Sequence, residues 1–380
     1  MLSDRDLLGR LVAFDTTSHK SNRAMADFVR DYADQPGIRM HEQLSPDGEK
    51  VNLVLVTGPE RDDREGLTLS GHMDVVPAVE PDWRSDPFTL TERDDNLYAR
   101  GACDMKGFDA LALNALLEAN ERKLEKPLVV LLTYDEEVGT IGARHFVEQA
   151  ADDAQRLPKA CIVGEPTSLE VARLHKGHTK MRITVRGVSA HSGYPHLGQN
   201  AIEGAARIVA SLRGLRHRLE QEGGALAGYF PDAPFVSLNV GTIRGGSAVN
   251  IIPDECTMMI GFRLLPQMSR DEVIHRVVAA CNHAAGDDPV EVTDEGESPP
   301  LFLDDSAPIY RSLCQRMEQE HTVSASYATD GGWLVRAGMD CAVWGPGSIT
   351  VAHKPNEFMP MDEYARGREL LDSVVREYCG

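Results

Sequence analysis

An interruption constrains the fold more than any other feature of this chain. Up to about residue 165, continuous apolar runs at 51–57, 67–70, 128–133 and 161–163 alternate with helical stretches at 3–14, 22–32, 108–120 and 141–150. Strands with no exposed polar face, separated by Ala-, Leu- and Glu-rich helices, specify a sheet covered on both sides. From about residue 179 the pattern becomes strand 181–188, helix 200–218, strands 235–243 and 256–263, helix 269–285 and strand 290–293. Ser269 stands as the N-cap of that second helix, ahead of Arg270, Asp271 and Glu272. The order β-α-β-β-α-β makes a complete small unit of the split, ferredoxin-like kind. After Ser298-Pro299-Pro300, a helix at 308–319, a strand near 341–344 and a helix at 362–377 resume the first pattern. The expected architecture is an α/β domain of residues 1–178 and 295–380, interrupted by an inserted α+β unit at 179–294.

Composition excludes several function classes. Against 39 Lys and Arg stand 59 Asp and Glu, a net charge of −20, which argues against a large phosphate-binding surface for nucleic acid. No apolar run reaches roughly 18 residues, and the opening MLSDRDLLGRLVAFD carries acids in its first turn, so neither a membrane span nor a signal peptide is expected. The seven scattered cysteines form no C-x-x-C and read as reduced thiols of a cytoplasmic protein. No G-x-G-x-x-G follows the early strands and no G-x-x-x-x-G-K-[ST] occurs, which removes dinucleotide and P-loop chemistry. The glycine-rich stretch GTIRGG at 241–246 lies between two strands and opens no helix.

Metal-competent side chains instead collect where the strands end. In Ser70-Gly71-His72-Met73-Asp74, His72 and Asp74 lie two apart in an extended segment and share a face. His72 can ligate a metal while Asp74 holds a neighbouring ring or backbone group; a strand-end turn with a satisfied histidine is the alternative. Asp104, in Gly101-Ala102-Cys103-Asp104-Met105-Lys106-Gly107, opens a helix and is either a ligand or a cap. Asp135-Glu136-Glu137 closes a buried strand with three carboxylates, a costly arrangement unless a cation neutralises them or the loop is solvated. Glu165 ends another apolar strand, and His353 follows Trp344-Gly345-Pro346-Gly347-Ser348. Two imidazoles and three acids have the right types for a two-metal site. Two divalent cations with Asp104, Glu137, Glu165 and one hydroxide sum to zero charge, so the cluster tolerates burial with metal and not without it. Glu136 is then a spare carboxylate, placed where a general base belongs.

In these motifs and their order, S-G-H-M-D-V-V-P, G-A-C-D-M-K-G, D-E-E, G-E-P-T-S and the late His353, nearly the whole chain resembles the zinc-dependent peptidase/deacylase family of acetylornithine deacetylase, succinyl-diaminopimelate desuccinylase, aminoacylase and carboxypeptidase G. Within it, residues 164–168 with Leu174-His175-Lys176-Gly177-His178, and Gly345–Ser348 ahead of Ala352-His353, are most similar to acetylornithine deacetylase. The resemblance implies that His72 and Glu165 hold one zinc, Glu137 and His353 the other, and that Asp104 bridges them. Cobalt suits the same ligands. It further implies that Asp74 orients His72, that Glu136 is the base, and that the insertion is a lid carrying a homodimer contact. His191, in Ser189-Ala190-His191-Ser192-Gly193, would reach a neighbouring subunit's site and steady an oxyanion. Asn250 and Arg263 would contact a substrate carboxylate, for which Arg offers a bidentate fork.

The implied reaction is hydrolysis of a small N-acyl amino acid, N2-acetyl-L-ornithine in arginine biosynthesis being the expected substrate. Succinyl-diaminopimelate desuccinylase, acetylcitrulline deacetylase and exopeptidase activities are the rivals, and a metal-binding scaffold with decayed catalysis is the rival from another class. The stretch Ala328-Thr329-Asp330-Gly331-Gly332-Trp333 departs from the acetylornithine deacetylase pattern and bears on which acyl amino acid is taken. His175 and His178 carry no assigned role.

Overall fold

The computed structural model describes residues 1–79, 81–149 and 156–380. Two compact units emerge, one of residues 1–174, 301–323 and 329–380, the other of residues 175–300 and 324–328. The sequence reading of an insertion at 179–294 differs from this by a few residues at each end and by the short return at 324–328.

In the first unit, strands β1 (Arg39–Leu44), β2 (Val51–Thr57), β3 (Leu67–His72), β4 (Leu128–Thr133), β5 (Ala160–Val163) and β6 (Ala172–His175) precede the second unit's strands. Those are β7 (Gly177–Arg186), β8 (Ser237–Gly245), β9 (Glu255–Leu264) and β10 (Val290–Ser298); β11 (Leu301–Phe302) and β12 (Asp340–Val343) follow. The main sheet runs β1-β2-β4-β3-β5-β12-β6-β11. Its middle, β4-β3-β5-β12, is parallel throughout, while β1 and β2 join antiparallel. Every residue of β3 and β4 is buried, which means both faces are covered, as their unbroken apolar runs require. Because β4 and β5 flank β3 on opposite sides, the chain leaves β3 in one direction and returns on the other. The crevice outside the carboxyl ends of those strands is where such sheets bind ligands.

Helices α1 (Asp4–Val12), α2 (Arg23–Ala33), α3 (Lys106–Asn120), α4 (Ile141–Gln149), α7 (Pro308–Met317), α8 (Gly331–Arg336) and α9 (Met361–Cys379) belong to the same unit, and α5 (Ala201–Gln221) and α6 (Arg270–Ala285) to the other. Helix α3 is buried almost all round, consistent with its Ala- and Leu-rich sequence between sheet and outer helices. Helix α4 begins where its pattern begins; the final residue of the expected 141–150 helix, Ala150, lies outside the described residues. Strand β3 continues two residues past its apolar run because β4 keeps pairing with it, as far as His72 opposite Thr133.

The second unit is an antiparallel sheet, β8-β9-β7-β10, backed by α5 and α6. In β9 every second residue is buried, and Met258, Ile260, Phe262 and Leu264 meet Ile208, Leu212 and Val277 of the helices in one core. Ser269 caps α6 by accepting the N–H of Glu272, as its position before two acids predicts. None of the described helices is long and apolar enough to cross a membrane.

Candidate active site

The parallel strands deliver their loops to one end of the sheet, and the candidate residues of the first unit meet there. Beyond β3 comes Asp74, beyond β4 come Glu136 and Glu137, beyond β5 comes Glu165, and beyond β12 comes His353; Asp104 sits just ahead of α3. The Asp104–Met105 peptide is cis.

His72 Nδ1 lies 2.9 Å from the carbonyl oxygen of Asp74, an atom that can only accept. In the neutral ring that a metal requires, the hydrogen therefore sits on Nδ1 and the Nε2 lone pair faces Asp104 Oδ1 at 3.2 Å and Glu165 Oε1 at 4.0 Å; without metal, a proton on Nε2 donates to Asp104. His353 Nε2 reaches the other oxygen of the same carboxylate, Asp104 Oδ2 at 3.1 Å, and Glu137 Oε2 at 3.0 Å. Each oxygen of Asp104 thus faces a different imidazole. His353 is the accessible member, its side chain 47% exposed, whereas those of His72, Asp104, Glu137 and Glu165 are all nearly closed off.

Asp74 holds the loop after β4 as well as the ring. Its carboxylate accepts the N–H of Glu136 at 3.0 Å, the N–H of Glu137 at 3.3 Å and the hydroxyl of Ser18 at 2.7 Å. Its own carboxylate lies 3.5 Å from His72 Nδ1, so the closest contact orienting the ring comes from its main chain. Of the three consecutive acids, Asp135 turns away to Lys50 Nζ at 2.6 Å. Glu136 and Glu137 are left facing the site.

The electrostatics are those of a cluster short of positive charge. Burial and then the neighbouring Glu165 push Glu136 well above the ordinary glutamate range; burial and then Asp104 do the same to Glu165. Burial, with Asp104 alongside, lifts Glu137 to about 7. Burial alone would lower His72, but Asp104 and Asp74 outweigh it and raise the ring well above its usual value. His353 rises to about 10, first through its bond to Asp104 and then through Glu137. Protons on imidazoles and carboxylates here do what cations would do better. The ligand atoms of His72, Glu136 and Glu165 lie within 4.8 Å of one another, as do those of His72, Asp104 and Glu137, so the two groupings share His72 and draw the acids of both around one centre. Mixed imidazole and carboxylate donors with spare carboxylate oxygens suit zinc or cobalt, so the residues present fit a divalent metal pair.

The remaining candidates lie in the second unit. His191 is in a two-residue strand, Ala190–His191, paired with Ile251–Ile252, and Ser192 N–H donates to Asn250 O at 3.0 Å, so His191 and Asn250 stand side by side. His191 Nδ1 accepts from Gly193 N–H at 3.0 Å, which leaves the hydrogen of the neutral ring on Nε2, the donor form. Arg263 lies on β9, opposite His178 of β7 and Ser237 of β8. His175 is fully buried, and burial, with Arg263 next, brings it down to about 4.

Sequence reasoning missed three buried groups around the site, Glu357, Arg100 and Asp109, and gave a fourth, Asp330, only as part of a loop that bears on substrate choice. Glu357 and Arg100 form an ion pair at 2.7 Å with both side chains 1% exposed. Asp330 accepts from Thr133 Oγ1, burial lifts it to about 7, and its Oδ1 has no partner among the described residues. Asp109, inside α3, has neither carboxylate oxygen hydrogen-bonded and lies so close to β3 that a methyl on Gly71 would meet Asp109 Oδ1 at 2.0 Å. An isolated acid within an apolar helical run was the one visible signal for Asp109; Glu357 and Arg100 are marked only by lying near His353 and Asp104.

Solved structures share this fold. A metallo-carboxypeptidase of the M20 family from Sulfolobus solfataricus superposes with a TM-score of 0.80 at 17% identity, covering 100% of this chain and 99% of its own. A dinuclear metal-binding peptidase of the M20 family from Bacillus subtilis does so with a TM-score of 0.67 at 13% identity, covering 98% and 96%. The fold and its donor set define a metal-dependent hydrolase of amides. The description of Peptidase family M20/M25/M40 matches residues 68–377, and this chain belongs to that family. An acetylornithine deacetylase of Myxococcus xanthus is 36% identical over 386 residues, covering 99% of this chain and 97% of its own. Another, of Edwardsiella ictaluri, is 35% identical, covering 97% and 94%.

Proposed function

We propose that the protein is a two-zinc deacetylase that converts N2-acetyl-L-ornithine to ornithine and acetate, serving arginine biosynthesis in the cytoplasm as a homodimer. The observation that carries the two-metal reading is Asp104, whose two oxygens face His72 and His353 separately. His72 with Glu165, and His353 with Glu137, would complete the two sites, and cobalt would fit them equally. When bound, two divalent cations supply polarisation of the acyl oxygen and a water acidic enough to lose its proton near neutral pH. Glu136 accepts that proton and returns it to the departing amine, whose expulsion is otherwise slow. Asp74 holds the His72 ring and the Glu136–Glu137 loop in one arrangement. His191, with its hydrogen on Nε2, donates to the developing oxyanion of a neighbouring subunit's site. Asn250 and Arg263 bind the substrate carboxylate.

Support for acetylornithine comes from the named relatives of about one-third identity, and the net charge of −20 suits the ammonium group of the ornithine side chain. Support for a dimer comes from the second unit. Its edge strand β8 is largely exposed, and Tyr194, Leu197, Ile202, Ile243, Val249 and Ile251 expose apolar surface beyond what a lone unit needs.

The test is amine release from N2-acetylornithine, N2-acetylcitrulline, N-succinyl-diaminopimelate and N-acetylmethionine, each with zinc, with cobalt and after chelation. Chelator-sensitive turnover greatest on acetylornithine is expected. A preference for another substrate keeps the chemistry and overturns the specificity; no turnover with metal bound overturns the enzyme reading in favour of a scaffold.

A further inference from the structure

Behind the site, three of the loops that carry candidate ligands end on one buried ion pair. We propose that Arg100 and Glu357 are positioning residues that set where Asp104 and His353 stand relative to His72. The proposal rests on the reading that these side chains hold metal. Glu357 Oε1 accepts two main-chain N–H groups, from Cys103 at 2.9 Å and from Asp104 at 3.0 Å. Its Oε2 accepts from Arg100 Nη1 at 2.7 Å. The same guanidinium donates from Nη1 to Lys354 O at 3.4 Å and from Nη2 to Pro77 O at 3.1 Å, and lies 5.2 Å from the centre of the Trp83 ring. Pro77 closes the loop of His72 and Asp74, Cys103 and Asp104 form the second loop, and Lys354 is the residue after His353. Two side chains thus tie three loops whose carboxylates would otherwise drive them apart.

The chemistry of the pair is specific. Three donors converge on Glu357, and a carboxylate alone among side chains of that length can accept them all. In Glu357→Gln the amide oxygen still serves Cys103 and Asp104, but its NH2 meets the guanidinium donor to donor. In Arg100→Lys the charge survives, while the fork that reaches Pro77, Lys354 and Glu357 together does not. Neither residue offers an atom to the metals or the substrate, so both act through Asp104, His72 and His353.

The experiment measures zinc affinity by competition with a chromogenic chelator, and the visible absorption of the cobalt form, on the full chain. Its variants are E357Q, R100K and the double variant R100M/E357M. E357Q and R100K are expected to lose about 10- to 100-fold in metal affinity and to alter the cobalt spectrum, the range found when groups supporting metal ligands are removed. The double variant leaves no unpaired buried charge and should recover part of the metal-free thermal stability that E357Q and R100K lose, the N–H groups left without an acceptor withholding the rest. It should remain weak in metal binding, because the N–H groups of Cys103 and Asp104 still lack their acceptor. Wild-type affinity and cobalt spectrum in E357Q, or their return in the double variant along with stability, overturn the proposal and leave the pair a purely structural bridge. A wild-type chain that binds neither zinc nor cobalt overturns the metal reading itself, and the proposal with it.

Discussion

Two carboxylates show how burial assigns different work to the same chemical group. Glu136 faces the site and has no cation of its own, whereas Asp135 beside it is committed to Lys50. Glu136→Gln should therefore keep two bound metals and lose turnover by about 10²- to 10⁴-fold, the usual contribution of a general base; metal stoichiometry and kcat together check it, and a near-wild-type rate refutes the assignment. Asp109 works against the fold. Burial raises it to about 8 from an ordinary 3.8. Between those values the folded metal-free chain binds a proton that the unfolded chain does not, so stability falls as pH rises through that window. By pH 7 the loss amounts to about 4 kcal/mol, at about 1.4 kcal/mol per pH unit. Asp109→Asn cannot titrate, and its melting temperature should fall less than the wild type's between pH 5 and pH 8; parallel curves would show that the carboxyl is solvated. The residues that could touch metal were legible because His, Asp and Glu at strand ends have few other uses. Glu357 and Arg100 were not, because what identifies them is a set of partners more than 250 positions away, at Asp104 and Glu357 respectively; Asp330 stood out only as a departure in its loop, not for its bond to Thr133.

At the scale of elements, the strands buried on both faces could be read from their apolar runs, and the inserted unit from its alternation and its capped helix. Strand β1 could not: its sequence, RMHEQL, has no apolar run, and it exists because it pairs along all six residues with β2. Strand β6, with only four residues, is likewise made by its neighbours. The loop after β12 matters more than its glycine content suggests. Thr167 and Leu169 donate their N–H groups to Gly345 O, and Ser168 donates to Gly347 O, so this loop carries the Glu165 turn on its back. A Cβ at Gly345 would stand 2.6 Å from Gly164 O and 2.7 Å from Glu165 O, both main-chain atoms that cannot swing away. Gly345→Ala should cost about 1–3 kcal/mol, as overpacking does, and weaken metal binding by displacing Glu165. Thermal melts and zinc titration read the two effects separately, and an unchanged zinc affinity would detach Glu165 from this loop.

For the molecule as a whole, metal is expected to be part of the stability and not only of the chemistry. Ligand that binds the folded chain alone stabilises it by about 2.7 kcal/mol per site at a hundred times its dissociation constant. Chelation should lower the melting temperature, with re-addition of zinc restoring it; equal melting curves would mean that the acid cluster is stable with protons alone. If copies pair through β8, Ile243→Glu should yield a monomer by light scattering and, with His191 acting between subunits, one that has lost turnover but kept its metals. An active monomer would remove His191 from the mechanism. The main sheet has one further consequence, for synthesis. Strand β5 takes β12 as its parallel partner, and the last of the proposed ligands, His353, follows β12, so neither exists until the ribosome has translated more than 150 residues beyond β5 and past the whole second unit. Throughout that interval the acids of the earlier loops have no complete cage to close around an ion. Metal acquisition is on this account an event of the finished chain, late in its biogenesis, and chains arrested on the ribosome ahead of β12 should take up no tightly held zinc.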